Sequence, residues 1–196
     1  MRSRRLKNPL FAALLGLGVA ARSGASVRYV RAEASGANDG TSWADAFTGL
    51  QSALATATPG DEIWVAAARY LPAATDRAAS FALKNGVALY GGFGGAESSR
   101  GERDPAANPT ILSGDVGAPG GTDNSFHVVT ADAAVTASGA LDGFTITAGH
   151  ADGSAPDSMG GGILVNGGSP TLAGLTVVQK ASSSSGATWP SARRCT

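Results

Sequence analysis

The chain has 196 residues, 15 basic and 15 acidic side chains, 28 glycines and only 6% aromatics. That length is enough for one domain with a real core, and the glycines lack the three-residue period of collagen. Sparse charge and abundant glycine favour turns and short strands over long helices.

The N-terminus reads as a targeting segment. Arg2, Arg4, Arg5 and Lys7 precede an apolar run, Pro9 to Ala21, that is too short to span a bilayer comfortably. Ser23-Gly24-Ala25 then offers small residues before a cut ahead of Ser26, so residues 1–25 are expected to be a signal peptide and residues 26–196 a secreted or cell-surface protein. Cleavage removes five of the 15 basic residues and no acidic one, leaving 10 against 15. No basic stripe survives to neutralise phosphates, so nucleic acid is not an expected partner. No membrane span is expected after cleavage either. The one cysteine, Cys195, leaves no internal disulfide, and packing and hydrogen bonds must hold the fold together.

Residues 27–32 alternate as a strand, and Asn38-Asp39-Gly40 signals a turn. A helix is expected over residues 42–57. Ser42 and Asp45 have capping-box spacing, Trp43, Phe47, Leu50 and Leu54 recur on one face, and Pro59-Gly60 ends it. From Glu62 the period changes to two. Short strands are expected at 62–66, 80–83, 87–93, 110–112, 126–130, 144–147, 163–165 and 175–178, separated by Gly, Asn, Asp and Pro. No second helix of useful length follows, which disfavours a doubly wound α/β plan.

"ALDGFTITA" (140–148) and "TLAGLTVVQ" (171–179) align without a gap, 31 residues apart. Phe144 matches Leu175, Thr145 matches Thr176 and Ile146 matches Val177. A period of this size suggests circuits in which each strand pairs with its equivalent one circuit later, about 4.8 Å away. Phe144, Ile146, Leu175 and Val177 would then stack inward, with the threonines outward.

The segments 29–66, 83–97, 108–115, 141–149 and "GGGILVNGGSPTL" (160–172) together resemble exported bacterial right-handed parallel β-helix proteins. These are the pectin-lyase-like proteins related to polymorphic outer membrane protein repeats. The Gly-Gly-x-[Ile/Leu/Val] element stands at Gly161-Gly162-Ile163-Leu164, whereas Val177 and Lys180 replace the Phe and Asn of its Phe-x-x-Asn companion. The resemblance implies an all-β solenoid with an N-terminal amphipathic capping helix. The capping strand and helix would occupy residues 26–66 and the circuits 67–180. Residues 181–196 read as a disordered linker, or as an aberrant end left by truncation or a shifted reading frame.

The chemistry is thinner. Pectin-lyase-like folds host lyases and glycosidases, but the matched strands offer Thr145, Thr147, Thr176 and Val178 where such an enzyme needs carboxylates and a base. Asp115 and Asp142 are the one carboxylate pair to test, against the plainer role of Asp as a turn former. His127 and His150 have no second ligand at metal-site spacing, and His127 reads as a strand residue. Asn38-Asp39-Gly40 and Asp152-Gly153 offer oxygens of the kind Ca²⁺ takes, but no EF-hand or nonapeptide pattern surrounds them, so no cofactor is expected. Trp64, Tyr70 and Tyr90 could stack on sugar rings or lie buried under loops. The expected function is a structural or adhesive module, the N-terminal part of a longer passenger-type protein, that presents loops to a surface glycan or protein. The alternative is a carbohydrate-active or carbohydrate-binding protein.

Overall fold

The computed structural model describes residues 25–118, 122–178 and 193–195. The expected signal peptide (residue 25 apart), and the tail from 181 apart from its residues 193–195, lie outside the described residues. The fold is mostly β, built of parallel sheets with one α-helix, an arrangement compatible with a β-helix-like solenoid.

The chain opens with β1 (Val27–Val30), then α1 (Leu50–Thr56), then runs through three short strands, β2 (Glu62–Ala66), β3 (Ala68–Tyr70) and β4 (Phe81–Ala82). It repeats that sequence of walls with β5 (Ala88–Phe93), β6 (Thr110–Ser113) and β7 (Val129–Ala131), and again with β8 (Ala140–Asp142), β9 (Phe144–Thr147) and β10 (Ile163–Val165). A last partial circuit supplies β11 (Thr171–Ala173) and β12 (Leu175–Val178), and β13 (Arg193–Cys195) follows. The first sheet has the order β1-β2-β5-β8-β11, the second β3-β6-β9-β12-β13, and the third β4-β7-β10. Every pairing is parallel except that of β13, which lies antiparallel on β12.

Register explains how strands this short persist. Ile63 pairs with Leu89, Leu89 with Leu141 and Leu141 with Leu172, so one apolar column runs through the first sheet. Leu112, Ile146 and Val177 make a second column, and Phe81, Val129 and Ile163 a third. Ile63, Leu89, Leu141, Leu112, Ile146, Phe81 and Val129 are all fully buried. Each such side chain contributes roughly 1.5–3 kcal/mol by leaving water, more than an isolated three-residue strand could supply. Burial fades at the far end, where Leu172 is 37% and Val165 39% exposed because no further circuit covers them among the described residues.

The 31-residue offset is also the ladder register. Thr171 faces Ala140, Leu172 faces Leu141, Thr176 faces Thr145 and Val177 faces Ile146. Between the two strands of each unit sits a glycine at positive φ, Gly143 at 82° and Gly174 at 56°, where the chain turns from the first sheet to the second. A side chain is disfavoured in that conformation. At Gly143 an added Cβ would also come within 2.6 Å of an Arg103 guanidinium nitrogen and 3.0 Å of the Gly91 carbonyl.

The helix is the main correction. It covers seven residues, Leu50–Thr56, and not 42–57. Ser42 and Asp45 do find each other: the Asp45 amide donates to the Ser42 hydroxyl at 3.0 Å, and that hydroxyl donates to the Asp45 carboxylate at 2.9 Å. The same carboxylate accepts the Ala37 amide, however, and ties down a non-helical loop instead of starting a helix. Phe47 is then drawn into a parallel bridge with Val30; its amide donates to Tyr29 and its carbonyl accepts from Arg31, both at 2.9 Å. These bonds hold the backbone extended until Gly49. Leu50 and Leu54, with Ala53 and Ala57, are buried against the first circuit, and Phe47 joins the same core from the bridge. Trp43 is not on the helix. Its ring lies 4.7 Å from Tyr29 and 5.6 Å from Phe93, on the outer side of the first sheet.

Asp61 fastens the N-terminal strand to the end of the helix. Its buried carboxylate accepts hydrogen bonds from the Ser26 amide (3.0 Å) and hydroxyl (2.8 Å) and from the Thr58 amide (2.9 Å) and hydroxyl (3.1 Å). Burial alone would push its pKa up, but these four donors outweigh it and hold the carboxyl down at about 2.

Candidate functional site: a groove on the first sheet

The outer side of the first sheet carries a close group of polar and aromatic side chains. Outward positions in register are Tyr29, Trp64, Tyr90 and Asp142, one from each successive strand. Residues 94–109, which join β5 to β6, fold back toward this wall. The Glu97 carboxylate accepts the Gly94, Gly95 and Ala96 amides; burial raises its pKa, but those backbone donors outweigh burial and hold it below the usual range. Trp43 donates its indole N–H to the Glu97 carbonyl at 2.9 Å. Further on, Asp104 caps a turn through the Ala106 and Ala107 amides and donates its own amide to Gly92.

This loop brings two arginines onto the wall. Arg100 donates to the Glu62 carboxylate at 2.8 Å and to the Tyr90 hydroxyl at 2.9 Å, and its guanidinium lies 4.7 Å from the Tyr90 ring centre. Arg103 donates to the Asp142 carboxylate at 2.6 Å and to the Gly91 and Asp142 carbonyls, 5.3 Å from the same ring. Trp64 completes the chain by donating to Glu62 at 2.7 Å. Glu62, Arg100, Gly101, Arg103 and Pro105 line an open groove of about 530 Å³. Alternating guanidinium and carboxylate groups along a groove can meet the donors and acceptors of a polyhydroxylated ligand.

Asp142 therefore lies at the groove, bonded to Arg103. Asp115 follows β6 in the second sheet and pairs with Arg69 at 3.1 Å, so the two carboxylates belong to different walls and different arginines. Trp64 is 5% exposed and stacked on Phe93 at 4.8 Å. Tyr70 is buried, donates its hydroxyl to the Ala66 carbonyl at 3.0 Å, and is pushed up to about 12 by that burial. Neither ring is open to a sugar. Tyr90 is half-buried beneath the arginines.

His127 and His150 take carboxylate partners, Asp157 and Asp152, and among the described residues no group of three or more His, Cys, Asp and Glu is placed to hold a metal. Asp39 bonds the Thr41 amide and hydroxyl, and Asn38 accepts the Thr48 amide, which is turn chemistry. Asp152 pairs with Arg77, whose hydrogen bond lowers the Asp152 pKa.

Arg100 and Arg103 were not legible as site residues. Glu62 and Arg100 are 38 positions apart, and only the fold-back of 94–109 joins them. The available signal was weak: two arginines spaced by three in a turn-rich loop after an outward tyrosine.

Among the described residues no helix is long and apolar enough to cross a membrane. No family model matches the chain, and neither the curated proteins nor the solved structures provide a match.

Proposed function

We propose that the protein is a right-handed parallel β-helix of the pectin-lyase-like type, exported to the cell surface or beyond, and that it acts as an adhesive or structural module. Its three-wall circuit and the ladders in one register support the solenoid reading. The rigid column holds the groove over Tyr90 toward a glycan or protein ligand.

One observation carries the choice of presentation over turnover. The groove's charges are consumed in pairs, Arg100 with Glu62 and Arg103 with Asp142, so each carboxylate is already occupied by a guanidinium and not turned to a reacting bond. The carbohydrate-active reading is favoured by one fact of its own, that Arg103 and Asp142 stand together on the outer face of a parallel wall. A panel of neutral and acidic polysaccharides, with and without Ca²⁺, separates the two. A module binds without releasing new reducing or unsaturated ends, and Arg100→Gln weakens that binding. Product formation that depends on Asp142 would overturn the module reading.

A further inference from the structure

The chain passes from the second sheet to the third through segments that are bonded to one another across successive circuits, residues 71–80, 122–128 and 148–162. The Phe126 amide donates to Arg77, the His150 amide to Ser125, and the Val128 and Val129 amides to Gly161 and Gly162. Arg77 reaches across all three, donating to the Asn124 and His150 carbonyls and pairing with Asp152.

We propose that His127 is a proton-operated latch on the 148–162 loop. Both of its ring nitrogens face oxygen acceptors of that loop: Nδ1 lies 3.1 Å from the Gly160 carbonyl, and Nε2 lies 3.2 Å from the Asp157 carboxylate. A neutral imidazole has one N–H and one bare lone pair, so it can donate to only one of them. Whichever nitrogen is bare then points at an oxygen lone pair. The imidazolium donates to both and is attracted to the carboxylate as well. The ring is 9% exposed, so water does not readily replace a lost partner.

Asp157 is the charged group in contact with the ring. Other ionisable groups on the packed segments are otherwise engaged: Arg77 with Asp152, His150 at 3.9 Å from Asp152, Asp76 accepting the Ala78 amide, and Asp123 accepting the Ala118 amide. The second hydrogen bond exists only with the extra proton. The latch is therefore closed while the ring carries both protons and loosens when it gives one up.

Hydrogen exchange followed by NMR on the full chain tests this, with rates divided by intrinsic rates at each pH. Val128 and Val129, whose amides donate into the loop, are expected to lose about tenfold in protection between about pH 5.5 and about pH 8, while Leu141 in the first sheet does not change. His127→Gln, which carries a single donor group and no titration, flattens the profile. Should that variant fail to fold, Asp157→Asn keeps the buried ring, removes the charge it faces and shrinks the response. His150→Gln leaves the response intact. Equal protection of Val128 and Val129 at the two pH values, or a response that survives in His127→Gln or vanishes in His150→Gln, would overturn the latch.

Discussion

Leu141 and Leu172 occupy the same place in two successive repeats and pair directly, yet they sit in different surroundings. Leu141 is fully buried between Leu89 and Leu172, whereas Leu172 is 37% exposed at the open end. Leu141→Ala removes apolar surface and leaves a cavity closed on both sides, a change that costs about 3 kcal/mol. Leu172→Ala removes a side chain about two thirds buried and leaves no sealed void. Scaling a full leucine transfer by that fraction gives about 1 kcal/mol. For a chain of this size the difference separates the variants by several degrees, since about 1 kcal/mol moves the midpoint by about 2–4 °C. Urea and thermal unfolding followed by far-UV circular dichroism read both quantities. If Leu172→Ala costs as much as Leu141→Ala, the stacked column with one open end is the wrong description.

The corner glycine gives a second test. Gly143→Ala combines a disfavoured φ of 82° with a clash against Arg103 and Gly91, and should cost about 1–3 kcal/mol, read as a lower urea midpoint at unchanged slope. The acid limb of stability should report Asp61. Its carboxyl is held down at about 2, so its contribution is fully present above its unfolded value near 4 and is lost as pH falls toward 2. Wild type is expected to lose about 2 kcal/mol from this group across that window, and Asp61→Asn should start lower and show a flatter acid limb. A variant with an acid limb as steep as wild type would refute that assignment.

Much of the ladder is readable in the sequence, because period-two alternation and a gapless repeat are local properties of the chain. Strands 62–66, 144–147 and 163–165 fall where the pattern put them, and Thr145 faces Thr176 as the repeat alignment required. β3 was missed because Ala68-Arg69-Tyr70 is too short to show a period, and its pairing with Thr110 to Leu112 is what makes it a strand. β13 was missed for the same reason. The helix was drawn too long because Trp43, Ala46 and Phe47 have helical spacing, while the force that places Phe47 comes from Val30, 17 residues earlier. The groove failed to show for a related reason. Glu62, Tyr90, Arg100, Arg103 and Asp142 come from three circuits and one folded-back loop, and no window of sequence contains the contacts that assemble them.

The two ends of the column differ in a way that limits how molecules can join. At one end Leu50 and Leu54 of α1 and the bridged Phe47 are buried in the core; at the other Val165 and Leu172 are partly exposed and β13 runs against the direction of its neighbour. A fibre requires two mutually adhesive faces on each unit, so that every addition regenerates a growing tip. Among the described residues Val165 and Leu172 make an apolar tip of that kind at one end, whereas Leu50 and Leu54 at the other end are buried.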